Sequence, residues 1–250
     1  MENPHFEYLL QLGDNALILS QRLGEWCGHG PVLEQDIALT NMALDLLGQA
    51  RMLLTHAGNV EGKGHTEDDL AYFRDAHQFY NVLLVEQPNV DWAYTIVRQF
   101  FFDTWNYFHY QALLESRDEQ LAAIAEKSLK EVTYHLRFTS EWMLRLGDGT
   151  ELSHQKMQQA VDDLWPFTGE LTTPSPADQW AADAGIGADL SKIKVLWQQK
   201  VAAVLAEATL QQPAGEWMQK GGKTGRHSEH LGFILAEMQH LQRTYPGNVW

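Results

Sequence analysis

The sequence predicts an all-helical fold, and three features support this class. Apolar residues recur at intervals of three and four through most of the 250 residues, no segment alternates with a period of two, and glycine or proline clusters separate the periodic stretches. The predicted helices span 6–26, 33–57, 66–86, 90–116, 118–146, 153–172, 189–211 and 226–243. Sequence patterns define each helix end to within about 2 to 4 residues.

Clusters of breaking residues justify these boundaries in chain order. Residues 28–31 (Gly-His-Gly-Pro) end the first helix, and residues 87–89 (Gln-Pro-Asn) precede the fourth. Residues 147–149 (Gly-Asp-Gly) end the fifth helix, and residues 173–176 (Thr-Pro-Ser-Pro) end the sixth. Proline interrupts a helix because it lacks a backbone N–H donor. Glycine does so because its backbone is too flexible to favour the helical conformation.

Composition excludes several classes of function. The 18 Lys and Arg residues against 33 Asp and Glu give a net charge of -15, which repels nucleic acid and anionic membranes. The single cysteine, Cys27, cannot form an intrachain disulfide, and no cysteine or histidine spacing typical of structural zinc is present. Without a basic leader or a long apolar run, the sequence predicts a cytoplasmic protein.

The second and fourth helices are apolar nearly all round, so both are expected inside the bundle. The second has one polar stripe, formed by Asn41, Asp45 and Gln49 at four-residue spacing. The fourth surrounds Asp103 with aromatic residues, which we interpret as core packing.

A rough internal repeat predicts a ferritin-like four-helix core. Asp14 and Asp45 are 31 residues apart, and Asp103 and Glu131 are 28 residues apart, so two helical hairpins each present a pair of carboxylates. One long crossover between helix pairs is the topology of ferritin-like folds. We therefore expect a single domain over residues 1–250, with a core at roughly 6–146 and C-terminal helices at roughly 153–243 packed on it.

The four carboxylates have the spacing of a di-iron site but lack its histidines. Such bundles use Glu-x-x-His on two helices, whereas here the positions three residues after Asp45 and Glu131 are Gly48 and Tyr134. No metal ligand or catalytic residue is therefore expected.

We expect protein groups to replace the metal at this site, because buried carboxylates need a counter-ion or a proton. The expected network is Asn41 and Gln49 at Asp45, and Lys127, His135 and Tyr134 at Glu131. In this hypothesis Lys127→Met destabilises the protein by roughly 3 to 5 kcal/mol. The alternative is a divergent oxygenase subunit, active in its own right, that binds metal through Asp14, Asp45, Asp103, Glu131 and His135.

Two smaller clusters are further candidates. Lys220, Lys223 and Arg226 lie in an otherwise acidic protein and would contact an anion or an acidic partner, or form a solvated loop. A second group with partial metal spacing is interpreted as interface or exposed residues: His227, Glu229, His230, Glu237 and His240.

Several segments resemble the C subunit of the bacterial ring-1,2-phenylacetyl-CoA epoxidase family. They are LGDNALILSQRLGEWCG, LDLLGQAR, VLLVEQPN, KEVTYHLRF and HSEHLGFILAEMQHLQRTYPGNVW. The resemblance spans nearly the whole chain and implies a ferritin-like structural subunit of a multicomponent monooxygenase that forms the ring epoxide of phenylacetyl-CoA.

The same resemblance implies partners and cofactors outside this chain. The di-iron centre would lie in a homologous catalytic subunit of the epoxidase. A reductase with FAD, an iron-sulfur cluster and NADPH would complete the complex together with a small third subunit. No cofactor is expected in this chain, and a homodimer is expected when the chain is alone.

Overall fold

The computed structural model describes residues 3–215 and 217–248 and confirms the all-helical class. Val249 and Trp250, which end the predicted domain and the C-terminal segment quoted above, lie outside the described residues, as do Met1 and Glu2. The helices are α1 (Pro4–Gly24), α2 (Leu33–Glu61), α3 (Glu67–Tyr72), α4 (Trp92–Leu113), α5 (Glu119–Gly147), α6 (Glu151–Leu164), α7 (Gly169–Thr172), α8 (Pro176–Asp183), α9 (Leu190–Glu207), α10 (Glu229–Met238) and α11 (His240–Thr244).

The chain divides into two compact units, each built on one long helical hairpin. As far as they are described, the first comprises Met1–Glu86, Ser175–Ala181 and Gly221–Trp250, and the second comprises Gln87–Pro174 and Ala182–Lys220. The last hundred residues are thus shared between the units. That the whole chain is one domain stays a prediction.

In the first unit, α1 packs along α2. Pro4 occupies the first turn of α1, and the side chain of Asn3 accepts from the backbone N–H of Phe6 at 3.1 Å, which satisfies an otherwise unpaired donor. A Cβ atom at Gly13 would lie 2.8 Å from a methyl carbon of Leu54. The glycine therefore permits the close approach of the two helices.

The prediction of one helix over residues 66–86 is wrong. The α-helix ends at Tyr72, and only short 3-10 turns follow at Ala76–Gln78 and Leu83–Glu86. The backbone N–H groups of Tyr80 and Val82 donate to side chains of α1 rather than to carbonyls one turn back. Tertiary hydrogen bonds have replaced the helical ones.

In the second unit, α4 packs against α5, α6 and α9. Phe100, Phe101 and Phe102 are fully buried, which confirms that the aromatic residues next to Asp103 form core. The indole N–H of Trp197 on α9 donates to the carbonyl of Phe101 at 2.9 Å. Burial of these large rings stabilises the unit.

One further helix boundary differs from the predicted one, and one helix was not predicted. The helix predicted over 153–172 ends at Leu164, because Pro166 lies in a 3-10 turn and cannot donate within an α-helix. The sequence analysis did not predict α8. This helix begins at Pro176, and the Ser175 hydroxyl accepts from the N–H of Asp178 at 3.1 Å, as at a capped helix start.

Candidate functional site

The first carboxylate of the expected site, Asp14 on α1, is completely buried and is neutralised by an arginine. The guanidinium of Arg74 donates from one terminal nitrogen to Oδ2 at 3.0 Å and contacts Oδ1 through the other. The backbone N–H of Tyr80 also donates to Oδ2, at 2.9 Å. Three donors therefore satisfy both oxygens of Asp14 without a metal.

Arg74 is held in place by its own environment. It donates to the carbonyl of Leu70, and to that of Gln78 at 2.8 Å. Its guanidinium lies 4.2 Å from the ring centre of Phe79, a cation–π geometry. Local periodicity could not predict this counter-ion, because it placed Arg74 inside a continuous helix over residues 66–86, whereas the helix ends at Tyr72.

The polar stripe predicted along α2 does not lie in one buried environment. Asn41 is exposed, Asp45 is half-buried and Gln49 is fully buried. Gly48, which stands where a histidine ligand would be, is exposed, and a Cβ atom there would meet no atom within 4 Å. The expectation that α2 is buried on all sides is therefore wrong.

The carboxylate in the second unit, Asp103 on α4, is also completely buried. The amide nitrogen of Gln99 donates to its Oδ1 at 2.7 Å, and the hydroxyl of Thr139 donates to its Oδ2 at 3.1 Å. Burial raises the pKa of Asp103 to about 7, although the charge of His135 and these two hydrogen bonds oppose the shift. Asp103 is therefore partly protonated at neutral pH.

The partners predicted for Glu131 are not all internal. His135 is fully buried, and its charge acts on Asp103. Lys127 is exposed, Glu131 is half-buried and Tyr134 is 39% exposed. Lys127 and Tyr134 therefore do not form the buried network that was expected, because each lies on the solvent side of α5.

These residues do not fit a di-iron centre. Both oxygens of Asp14 are engaged by Arg74. Glycine offers no ligand atom at position 48, and Tyr134 is on the surface. Iron sites of this fold need imidazole nitrogen and free carboxylate oxygens.

The predicted basic cluster is also corrected. The side chain of Lys223 is only 8% exposed, and its ammonium lies 2.9 Å from a carboxylate oxygen of Asp178, whose side chain is 7% exposed. Lys220 and Arg226 are exposed. Lys223 therefore already has an anionic partner within the chain, and contact of this segment with an external anion or partner stays a prediction.

His227 was expected at an interface or on the surface, but its side chain is only 4% exposed. Nδ1 lies 2.6 Å from Oε1 of Glu86, and Nε2 lies 2.8 Å from the carbonyl oxygen of Phe79. Because both ring nitrogens face acceptors, the ring carries both protons. Burial lowers the pKa of His227, but the hydrogen bond and charge of Glu86 outweigh this and raise it overall.

Glu86 is a further buried residue that the sequence analysis missed. Its Oε2 accepts from the backbone N–H of Ser228 at 2.9 Å and from the hydroxyl of the same serine at 2.5 Å. The side-chain amide of Asn81 donates to Oε1 at 3.0 Å. The Ser228 hydroxyl therefore donates to a carboxylate rather than to a histidine base. This is not the arrangement of a catalytic serine nucleophile.

Comparison with known proteins identifies the family. The family model described as phenylacetic acid catabolic protein matches residues 1–250. The chain belongs to this family. A protein of Escherichia coli (strain K12), named as the C subunit of 1,2-phenylacetyl-CoA epoxidase, is 54% identical over 243 residues, which cover 97% of this chain and 98% of that protein.

None of the helices within residues 3–215 and 217–248 is both long and apolar enough to cross a membrane.

Proposed function

We propose that this chain is a non-catalytic structural subunit of a phenylacetyl-CoA epoxidase, a multicomponent monooxygenase of aerobic phenylacetate degradation. The observation that carries the proposal is the buried ion pair between Arg74 and Asp14, at a position where a catalytic subunit would use a carboxylate as an iron ligand. The identity to a protein named as the C subunit of this epoxidase supports the substrate and the pathway.

The ion pair explains why the chain is not the oxygen-activating one. A guanidinium is permanently charged and bidentate, so iron would have to displace it from Asp14 and leave a buried cation without its anion. Breaking a buried pair costs roughly 3 to 5 kcal/mol. The remaining positions, Gly48 and Tyr134, supply no imidazole that would offset this cost.

In the proposed complex the chemistry lies in other chains. A homologous catalytic subunit holds the di-iron centre. A reductase carrying FAD and an iron-sulfur cluster brings electrons from NADPH, and a small third subunit belongs to the same complex. The complex works in the cytoplasm, and this chain supports the shape of its catalytic partner. Without that partner, the chain pairs with a second copy of itself.

The proposal is tested by measuring iron and binding together. This chain and its homologous catalytic partner are each purified, loaded with ferrous iron without oxygen, desalted and analysed for iron per polypeptide. We expect about two irons per chain only in the catalytic partner, and a stable complex of the two chains on size-exclusion chromatography.

The control is an Arg74→Met variant of this chain, treated identically. It should remain iron-poor, because Gly48 and Tyr134 still lack nitrogen donors. Tightly bound iron in the unaltered chain, with epoxide formation by that chain alone, would instead establish the oxygenase alternative.

A further inference from the structure

The C-terminal part of the first unit supplies hydrogen-bond donors to residues 70–86, the segment that carries Arg74. We call residues 225–244 the C-terminal strap. The side-chain amide of Gln239, a residue only 4% exposed, donates to the carbonyls of Ala71 and Arg74 at 3.0 Å each. Donor and acceptors are therefore distant along the chain but belong to one compact unit.

Arg243 extends this row of contacts. Its guanidinium donates to the carbonyls of Tyr72, Phe73 and Arg74 at 3.1, 3.2 and 2.9 Å. The four consecutive carbonyls of residues 71–74 thus accept from two side chains of the C-terminal strap. The last carbonyls of a helix have no partner within the helix, so these donors cap the end of α3 from outside.

This capping accounts for the end of α3 at Tyr72. Residues 66–86 contain neither glycine nor proline, so the local sequence supplies no stop signal. In a continuous helix the carbonyls of residues 71–74 would accept from backbone N–H groups four residues later. Here they accept from Gln239 and Arg243 instead, and the helix therefore ends because of a tertiary contact.

The C-terminal strap also contacts the 70–86 segment beyond α3. Gly225 has a φ of +76°, and a Cβ atom there would collide with the carbonyl oxygen of His77. Nε2 of His227 lies 2.8 Å from the carbonyl oxygen of Phe79. The strap therefore follows the segment past the point at which the helix ends.

We propose that Gln239 and Arg243 position the buried counter-ion of the first unit. They end α3, and the chain then turns so that Arg74 reaches Asp14. The backbone N–H of Tyr80 reaches the same carboxylate from the same segment. Gln239 and Arg243 are thus positioning residues that act through Arg74, and release of the C-terminal strap frees both donors of Asp14 together.

This positioning role goes beyond the proposed function and does not depend on the epoxidase assignment, because it concerns contacts within the first unit alone. Segments held by few contacts open locally, at a lower free energy than the whole unit. The 70–86 segment is held by the C-terminal strap on one side and by α1 on the other. Weakening the strap should therefore loosen the segment before the rest of the unit.

Hydrogen–deuterium exchange at single-residue resolution tests the proposal. The backbone N–H groups of Tyr80 and Val82 donate to side chains of α1, so their exchange rates report whether the 70–86 segment stays in place. Gln239→Glu keeps the shape of the side chain but removes its N–H donors. We expect it to raise both exchange rates at least about tenfold, while amides in the middle of α1 and α2 keep their rates.

Arg243→Met is a second variant and should accelerate exchange at the same two amides. The side chain of Arg243 is 40% exposed, so its replacement leaves the packing of the core intact. The matched control is Arg226→Met, at an exposed arginine of the same strap. Its exchange rates should equal those of the unaltered chain.

A double variant separates positioning from simple packing. The urea midpoints of Gln239→Glu, Arg74→Met and the combined variant are each compared with the midpoint of the unaltered chain. Because Gln239 acts through the Arg74 side chain, the midpoint of the combined variant should fall by less than the sum of the two single decreases. A merely structural role of Gln239 would give additive decreases.

Three results would overturn the proposal. They are unchanged exchange at Tyr80 and Val82, equal acceleration of all amides in the first unit, and additive decreases in the urea midpoint. Equal acceleration would show that the variants weaken the whole unit rather than the position of one segment.

Discussion

Arg74 reaches Asp14 from a segment 60 residues further along the chain, and the two side chains form a buried two-point ion pair. The helix that would have directed Arg74 elsewhere ends at Tyr72. The backbone carbonyls of Leu70 and Gln78 accept hydrogen bonds from the Arg74 guanidinium. Arg74 thus supplies the counter-ion that the buried carboxylate of Asp14 requires.

Removing the cation should strongly destabilise the first unit. Arg74→Met leaves Asp14 buried without a partner, so the free energy of unfolding should fall by about 3 to 5 kcal/mol, measured by urea denaturation. The double variant Arg74→Met with Asp14→Asn should lose clearly less, because no charge is left unpaired. Equal losses in the two variants would show that packing, rather than charge, is what Arg74 supplies.

Lys127 should matter much less than the sequence alone suggested. Because Lys127 is exposed, its contacts are screened by water, and Lys127→Met should change the free energy of unfolding by less than about 1 kcal/mol. The same urea titration checks this value. A loss as large as that of Arg74→Met would contradict the exposed position of the lysine.

Asp103 should make the second unit less stable as the pH rises. Its pKa of about 7 in the folded state exceeds the ordinary value of 3.8, so the folded state holds the proton more tightly. The stabilising contribution is fully present below pH 3.8 and is lost as the pH rises through 7. Asp103→Asn should remove this dependence and stabilise the protein at pH 8 relative to the unaltered chain, by about 4 kcal/mol at most.

The environment of Asp103 can accept that substitution. Among the described residues, Oε1 of Gln99 has no hydrogen-bond partner, so after rotation of the Gln99 amide it can accept from the new asparagine. Unfolding at pH 5 and pH 8 should show the two stability curves converging at the lower pH. Parallel curves would contradict a raised pKa at this carboxyl.

The ion pair of His227 with Glu86 should show a loss of stability at high pH. The pKa of His227 is raised above 6.5 in the folded state, so its contribution is fully present below pH 6.5 and disappears as the pH rises through the folded value. The advantage of the unaltered chain over His227→Gln should therefore shrink with increasing pH. His240→Gln, at an exposed histidine, is the control and should show no such trend.

Much of the helical architecture follows from local sequence. The three- and four-residue spacing predicted the long helices, and the apolar sequence around Phe100 to Phe102 correctly predicted core. The spacing wrongly predicted one helix over residues 66–86. The backbone N–H groups of Tyr80 and Val82 instead donate to side chains that are distant in sequence. Local periodicity also predicted that α2 is buried on all sides, although Leu33 and Leu44 are exposed.

The sequence by itself determined the all-helical fold class, the presence of glycine and tyrosine rather than histidine at positions 48 and 134, and the acidic character of the protein. Only the tertiary structure decided which charges are buried and which groups neutralise them. Local periodicity specifies a helix and its faces, whereas the partner of a buried carboxylate is selected by residues that meet it only after the chain has folded. For Asp14 that partner is Arg74, which local periodicity had placed inside a continuous helix.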